Sequence, residues 1–298
     1  MRVVSNKFPA LGWRLPNTLT TGSAHHQVID AVGVHEVVID SSEHDRQIGQ
    51  FLLRHCQTVL DVYRSRLLAL TNSPDIRSVA LFRNVGRAAG ASQEHPHTQI
   101  LALPIVPARL QHEIDATHRY FCAHGRCITC DMLRHDLAEI GRLVARNDHF
   151  AAVTSFSPRF PYETRIVPSS HSDDFRELSR GQIPALAVIL KQVLSALETA
   201  LGSFPFNLVL QTAPLLTSRA VEQAFHWRIE ILPRLTIPSG LELGHSVFIV
   251  SVTPENAART LRAAIETAIH ACEGRSIEDP LIARAPLASS PPLSESHI

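Results

Sequence analysis

The chain has 298 residues and a formal net charge of +0, with 45% hydrophobic and 19% charged residues. This length accommodates one large domain or two smaller ones with cores of their own, and the composition is that of a soluble globular protein. The neutral balance gives no reason to expect nucleic acid or an anionic membrane as a partner.

The N-terminal stretch and the cysteines indicate a compartment. MRVVSNKFPALGW lacks the apolar core of a signal peptide. The most apolar helical run, IPALAVILKQVLSAL, is interrupted by Lys191 and is shorter than a bilayer span. We therefore expect a cytoplasmic protein, in which five cysteines favour metal binding or free thiols over a disulfide framework.

In the first half, predicted strands surround one long helix. Residues 35–40 have an apolar, β-rich pattern, and residues 46–70 repeat apolar side chains at helical spacing. Residues 78–86 predict a strand that runs into a glycine turn, and residues 98–106 predict another strand.

The second half repeats this order. The patterns predict a strand, a long helix, two strands and a last helix, at residues 162–168, 175–201, 206–214, 226–235 and 254–274. Pro184 either begins or kinks the long helix. Residues 275–298 have the composition of a disordered tail.

Fixed landmarks support an internal duplication. His44 precedes His95 by 51 residues, and His171 precedes His226 by 55. In this register His95 pairs with His226, His97 with Arg228, and Gln99 with Glu230. We predict an α+β fold of duplicated units, with antiparallel sheets flanked by long helices, although two similar intervals can also agree by chance.

The stretch SQEHPHTQI carries the chemistry. His95, His97 and Gln99 lie on one face of an extended segment, and Pro96 places them at an edge or strand mouth. A neutral imidazole can attack phosphorus and form a phosphoramidate. An amide, unlike a third imidazole, cannot activate water, so Gln99 favours a transferase over a hydrolase. Alone, a His-X-His pair is most often a pair of metal ligands or a chance feature of the protein surface.

Just upstream, NVGRAAGAS contains Gly86, Gly90 and Ser92. Small residues let backbone N–H groups approach an anion closely, so we expect a phosphate to be held here beside the imidazoles. The alternative is that these glycines only form turns.

The stretch CITC places Cys127 and Cys130 at a spacing that lets two thiolates share one zinc ion. With His171 and His226 they make a closed four-ligand set, which is typical of structural zinc. A redox pair and unligated thiols are the alternatives.

FRNVGRAAGASQEHPHTQI resembles the active-site segment of galactose-1-phosphate uridylyltransferases, the His-Pro-His-x-Gln branch of the histidine-triad superfamily. MRVVSNKFPAL, HEVVIDSSEHDR, FNLVLQTAP, FHWRIEILPRLT and SGLELGHSVFIVSVTPENAARTLR resemble it too, so the similarity extends over residues 1–265. It implies a histidine-triad-like half at residues 1–112, a second at 113–274 and a tail at 275–298.

The resemblance also implies roles. His97 is the nucleophile that becomes uridylylated, the carbonyl of His95 orients its ring, and Gln99 contacts the phosphoryl oxygens. The implied substrate contacts are Asn84, Gly90 and Ser92 for the nucleotide phosphates and Asn6 and Phe8 for the nucleoside. Hexose recognition is implied around SGLELGHS.

Two zinc sites are implied. The second uses Cys127, Cys130, His171 and His226. The first uses two N-terminal cysteines with the equivalents of His44 and His95, and this sequence holds no such cysteines. We therefore expect a shortened first half in which His44 and His95 form half of a site.

The implied activity is that of a UDP-glucose:hexose-1-phosphate uridylyltransferase of galactose metabolism, often a homodimer. The alternatives are an ADP-glucose phosphorylase-like enzyme with phosphate as acceptor, and a truncated, inactive nucleotide-binding member. A nucleic-acid module is disfavoured by the neutral charge and the lack of aromatic stacking motifs.

Overall fold

The computed structural model describes residues 1–12, 25–26, 29–44, 46–215 and 217–273. The strands are β1 (Arg2–Ser5), β2 (Val34–Ile39), β3 (Ser78–Val85), β4 (His97–Leu103), β5 (Leu143–Arg146), β6 (Phe150–Thr154), β7 (Thr164–Pro168), β8 (Phe206–Gln211) and β9 (Arg228–Pro233). The α-helices are α1 (Leu53–Leu70), α2 (Ala108–His124), α3 (Ile128–Glu139), α4 (Ile183–Leu201), α5 (Arg219–Ala224), α6 (Gly240–His245) and α7 (Pro254–Glu273).

All nine strands join one antiparallel sheet in the order β1-β2-β4-β3-β8-β9-β7-β6-β5. The order is nearly symmetric about the β3–β8 pair, with β4 and β2 on one side and β9 and β7 on the other. The predicted α+β fold is confirmed, and the two halves share a single sheet.

The strand register supports the predicted duplication. Gln99 lies opposite Phe82 on one neighbouring strand and Val37 on the other. Glu230 lies opposite Val209 and Arg165 in the corresponding positions. Gln99 and Glu230 are therefore equivalent, and so are His97 and Arg228, which lie two residues earlier on their strands.

The main core lies between one face of the sheet and helices α1, α4 and α7. Pro184 lies in the first turn of α4 and begins that helix rather than kinking it. With 19 residues, α4 begins eight residues later than the predicted helix over 175–201 and is longer than the apolar run IPALAVILKQVLSAL within it. By length and composition α4 is apolar enough to cross a membrane. In the fold, however, its side chains from Leu186 to Leu197 supply much of this core.

Helices α2 and α3 cover the opposite face over the second half. Leu133 of α3 packs against Ala151 and Val153 of β6. Residues 112 and 113, the predicted boundary between the halves, lie within α2, and residues 275–298 lie outside the described part.

Candidate active site

His97 begins β4 with its side chain 9% exposed. Its Nδ1 lies 2.8 Å from the carbonyl oxygen of His95. Because a carbonyl can only accept, Nδ1 carries the ring proton and donates it. The lone pair of the neutral ring is therefore at Nε2, away from the backbone, where it can act as a nucleophile.

A buried polar cluster fixes the backbone of residues 96–98. The backbone N–H of Asp40 donates to the carbonyl of Pro96 at 3.1 Å. The Asp40 carboxylate accepts from Thr98 Oγ1 at 3.0 Å and pairs with the guanidinium of Arg83. The residues on both sides of His97 are thus tied to one fully buried residue, Pro96 to the backbone N–H of Asp40 and Thr98 to its carboxylate.

The pKa of the Asp40 carboxyl depends on its ion-pair partner Arg83. Burial raises the pKa of Asp40, and Arg83 opposes the rise. Arg83 also donates to Gln47 Oε1 at 2.8 Å. The sequence did not identify this pair, because Asp40 and Arg83 are 43 residues apart and neither belongs to a short motif.

Gln99 is oriented by His35, a buried residue of β2 that the sequence did not single out. His35 Nδ1 accepts the backbone N–H of Ala10 at 3.1 Å, so its proton is on Nε2. That Nε2 lies 3.0 Å from Gln99 Oε1 and donates to it. The amide oxygen is thereby engaged, which leaves the NH₂ group of Gln99 as the donor available to a substrate.

The glycine loop differs from the prediction. Gly86 and Gly90 have φ of 80° and 82°, as left-handed turn positions require. However, the N–H of Gly90 donates to Arg87 O at 2.9 Å, and that of Ala91 donates to Gly86 O at 3.2 Å. These N–H groups are consequently used within the turn, and Ser92 just beyond it is exposed. The role of Gly90 and Ser92 in phosphate binding stays a prediction.

The side-chain amide of Asn84 is oriented by a residue from the second half of the chain. Its Oδ1 accepts from Asn207 Nδ2 at 2.8 Å, and Asn207 Oδ1 accepts from Arg234 at 3.0 Å. Asn84 and Asn207 face each other across the β3–β8 pair. The amide NH₂ of Asn84 therefore remains as a donor beside the glycine loop.

The predicted nucleoside segment reaches the same site. Asn6 Nδ2 lies 3.0 Å from His35 Nε2, a contact between two donors because that nitrogen donates to Gln99, and Asn6 Oδ1 accepts the N–H of Phe8 at 2.9 Å. The ring of Phe8 is 80% exposed, so it is available to a base or to another protein surface.

His44 and His95 are brought together as expected, with their Nδ1 atoms 2.9 Å apart. His95 Nε2 donates to Ser41 O at 2.9 Å, so its Nδ1 lone pair faces His44. Within the described ranges no third His, Cys, Asp or Glu joins the two in a group that could hold a metal ion.

Cys127, Cys130, His171 and His226 do form such a group, with ligand atoms all within 4.8 Å of one another. Cys130 Sγ lies 3.5 Å from Nδ1 of each histidine. His171 Nε2 donates to Glu222 O at 2.9 Å, which leaves its Nδ1 lone pair facing the thiols. Cys127 precedes the first turn of α3, and hydrogen bonds, the strongest from Cys130, hold the pKa of Cys127 well below its usual range.

A cavity of about 310 Å³ lies beside the glycine loop and is lined by Gly86, Glu94 and Glu198 among others. Because two carboxylates line it, this cavity is unsuited to phosphate.

Comparisons with known proteins agree on one family. Residues 1–107 match the sequence family described as galactose-1-phosphate uridyl transferase, N-terminal domain, and residues 113–273 match the corresponding C-terminal domain. The chain is 31% identical over 265 residues to ADP-glucose phosphorylase of Arabidopsis thaliana, covering 88% of this chain and 74% of that protein. It is 29% identical over 264 residues to galactose-1-phosphate uridylyltransferase of Thermotoga maritima, covering 86% and 82%.

A solved structure extends the similarity to three dimensions. The crystal structure of the Arabidopsis thaliana ADP-glucose phosphorylase with bound ADP-glucose matches with a TM-score of 0.79 at 30% identity, covering 88% of this chain and 80% of that one.

Breaking the buried Asp40–Arg83 ion pair next to the His97 segment should lower the stability of the fold measurably. We expect Asp40→Asn to lower the free energy of unfolding by about 3–5 kcal/mol, because Arg83 keeps a buried charge without its counter-ion. The double variant with Arg83→Gln should be more stable than Asp40→Asn alone. Urea unfolding measures both, with Glu43→Gln of the exposed Arg46–Glu43 pair as the control within about 1 kcal/mol of wild type. Equal losses in Asp40→Asn and Glu43→Gln would contradict the account.

Proposed function

This chain belongs to the galactose-1-phosphate uridyl transferase family, and we propose that it transfers a nucleotidyl group from a nucleotide sugar through a covalent intermediate on His97. We assign UDP-glucose as the donor and a hexose 1-phosphate as the acceptor. The observation that carries the proposal is the hydrogen bond from His97 Nδ1 to the His95 carbonyl, which leaves Nε2 free to attack.

The reaction follows in two steps. His97 Nε2 attacks the α-phosphorus, the bond from phosphorus to the bridging oxygen breaks, and hexose 1-phosphate departs. A phosphate oxygen of the acceptor then attacks the same phosphorus, and the P–N bond breaks. In between, the His95 carbonyl stabilises the positive charge on the substituted ring, and the NH₂ groups of Gln99 and Asn84 donate to the phosphoryl oxygens.

A second candidate keeps the first step and changes both substrates. ADP-glucose would donate the nucleotide and inorganic phosphate would accept it, as the similarity to ADP-glucose phosphorylase favours. Attack on the nucleotidyl-histidine by a free phosphate or by a hexose 1-phosphate is the same displacement, so the chemistry of His97 does not separate them.

We also propose that Cys127, Cys130, His171 and His226 hold a structural zinc ion. A tetrahedral zinc with bonds of about 2.3 Å to sulfur and 2.0–2.1 Å to nitrogen separates a sulfur ligand from a nitrogen ligand by about 3.6 Å. The distances from Cys130 Sγ to the two histidines, 3.5 Å each, match this spacing, and the distance from Cys127 Sγ to His226 is slightly longer at 3.9 Å. Bound zinc would tie α3 to the ends of β7 and β9. His44 and His95 alone supply too few donors for a closed site.

A homodimer is the third part of the proposal. The segment from Leu235 to Ile249 exposes several large apolar side chains, including Ile237 at 87% and Leu243 at 77%. It contains the stretch for which the sequence implied hexose recognition. Contiguous exposed apolar surface of this kind marks an interaction site, and a second copy of the chain would cover it.

The nucleophile is tested by trapping the intermediate. We expect a covalent adduct of one nucleotidyl group from UDP-glucose, measured by intact mass, that is lost in His97→Ala and kept in the exposed control His112→Ala. Release of the isolated adduct by galactose 1-phosphate supports the uridylyltransferase, whereas an adduct formed from ADP-glucose and released by phosphate supports the phosphorylase. No adduct from either sugar would leave only a nucleotide-binding protein.

The role of His35 is tested by kinetics. We expect His35→Leu to lower kcat by about tenfold to a hundredfold, because the Gln99 amide is no longer held with its NH₂ toward the phosphoryl group. His35→Gln, which can still donate to Gln99, should restore part of the rate. In a Gln99→Ala background His35→Leu should have little further effect, and an additive loss there would refute the coupling.

The zinc site has an internal control in Cys122, an exposed cysteine of α2. We expect Cys127→Ser to lose bound zinc and to melt at a lower temperature, since the metal contributes to folding. Cys122→Ser should keep both at the wild-type level. Equal zinc content by atomic absorption in the two variants would defeat this assignment.

The dimer is tested by light scattering on the full chain. We expect wild type to elute at twice the monomer mass, and Ile237→Asp with Leu243→Asp to elute as a monomer. Leu68→Asp, on the solvent side of α1, is the control that should leave the mass unchanged. A monomeric wild type would reject the proposal.

A further inference from the structure

The second half contains a polar cavity of about 260 Å³ on the face of the sheet covered by α2 and α3. Four arginines line it, Arg109, Arg142, Arg165 and Arg228, with only two carboxylates, Glu113 and Asp136. The cavity therefore carries more positive than negative side chains on its walls.

The internal duplication relates this cavity to the candidate active site of the first half. Arg228 lies where His97 lies in the first half, on the same face of the equivalent strand. A guanidinium binds phosphate but is no nucleophile. The second half can thus retain a phosphate-binding position without the ability to form a phosphoramidate.

Two of the arginines are short of acceptors. Arg109 and Arg165 donate no hydrogen bond to any described residue; the Nε of Arg165 is buried without a partner, whereas Arg109 is exposed. The carboxylates nearest to Arg165 belong to Glu163 and Glu230, each 3.6 Å away. Both of those carboxylates accept closer contacts from Arg159, and Glu230 also accepts from Arg228.

A hydroxyl in the same wall is also unsatisfied. Ser155 is 2% exposed, and its Oγ has no hydrogen-bond partner. Buried hydroxyls without partners are rare and indicate a missing ligand or water.

The charges repel one another across this space. Burial lowers the pKa of Arg109, and the neighbouring Arg159 lowers it further. Burial likewise lowers the pKa of Arg165, together with Arg228. A bound anion would offset the repulsion between these guanidinium groups.

We propose that this cavity binds a phosphate group, free or as a small monoester, through Arg109, Arg165 and Ser155. Its volume lies just below the roughly 300–1,000 Å³ of typical small-molecule sites, which favours such a ligand over a nucleotide sugar. The inference does not depend on the proposed reaction at His97.

Calorimetric titration of the full, metal-loaded chain with inorganic phosphate tests the site, and glucose 1-phosphate in a second arm distinguishes a free phosphate from a monoester. Apart from any binding at the His97 site, we expect a binding event that Arg109→Gln weakens by about tenfold or more, the size of a charge-assisted hydrogen bond. Arg119→Gln, on the exposed side of α2, should leave it unchanged. The event should persist in His97→Gln, which cannot accept a nucleotidyl group.

Ser155→Ala separates binding from folding. Because its hydroxyl has no partner, the variant should melt no lower than wild type while phosphate affinity falls by about fivefold. The inference is overturned if Arg109→Gln and Ser155→Ala bind phosphate as wild type does. It is equally overturned if the event disappears in His97→Gln, since the phosphate would then lie in the first half.

Discussion

One hydrogen bond organises the candidate active site, the bond from His97 Nδ1 to the carbonyl of His95. It places the lone pair on Nε2 and holds the ring against its own strand. The intervening Pro96 fixes the backbone angle there, and its carbonyl is bound by the N–H of Asp40. The chemistry therefore depends on a backbone geometry that the buried pair of Asp40, just after β2, and Arg83 of β3 maintains.

Each half of the duplicated fold uses equivalent positions differently. In the first half the positions on β4 carry an imidazole and an amide, which suit attack on phosphorus and donation to its oxygens. In the second half the same positions carry Arg228 and Glu230, which form an ion pair with each other, and Arg228 also pairs with Glu113. The halves also cooperate, because Asn207 of the second half orients Asn84 of the first.

Periodicity was sufficient to predict the elements of the main core. The strands β2, β3 and β4 and their counterparts β7, β8 and β9 lie close to their predicted ranges, whereas α1 and α4 end where predicted but begin seven and eight residues later. The helices α2 and α3 and the short strands β1, β5 and β6 were not predicted. They have no equivalent in the repeat that guided the assignment, and α3 has only a short apolar face, with Leu133 packed on β6.

The site was predictable where its residues share a motif and not where they meet only in the fold. His97, Gln99 and the Cys127–Cys130 pair are visible in the sequence because their spacing is short. His35 and Asn207 are not, since each acts on a residue of another strand far along the chain. Spacing also does not reveal that N–H groups of the glycine loop are used within its own turn.

The most direct test of the account is the nitrogen to which phosphorus becomes attached. Nuclear magnetic resonance of protein labelled with ¹⁵N-histidine, trapped as the nucleotidyl adduct, reports this from the coupling between nitrogen and phosphorus. The account predicts a phosphorus bond to Nε2 of His97 and a proton retained on Nδ1. Attachment at Nδ1, or to another histidine, would contradict it.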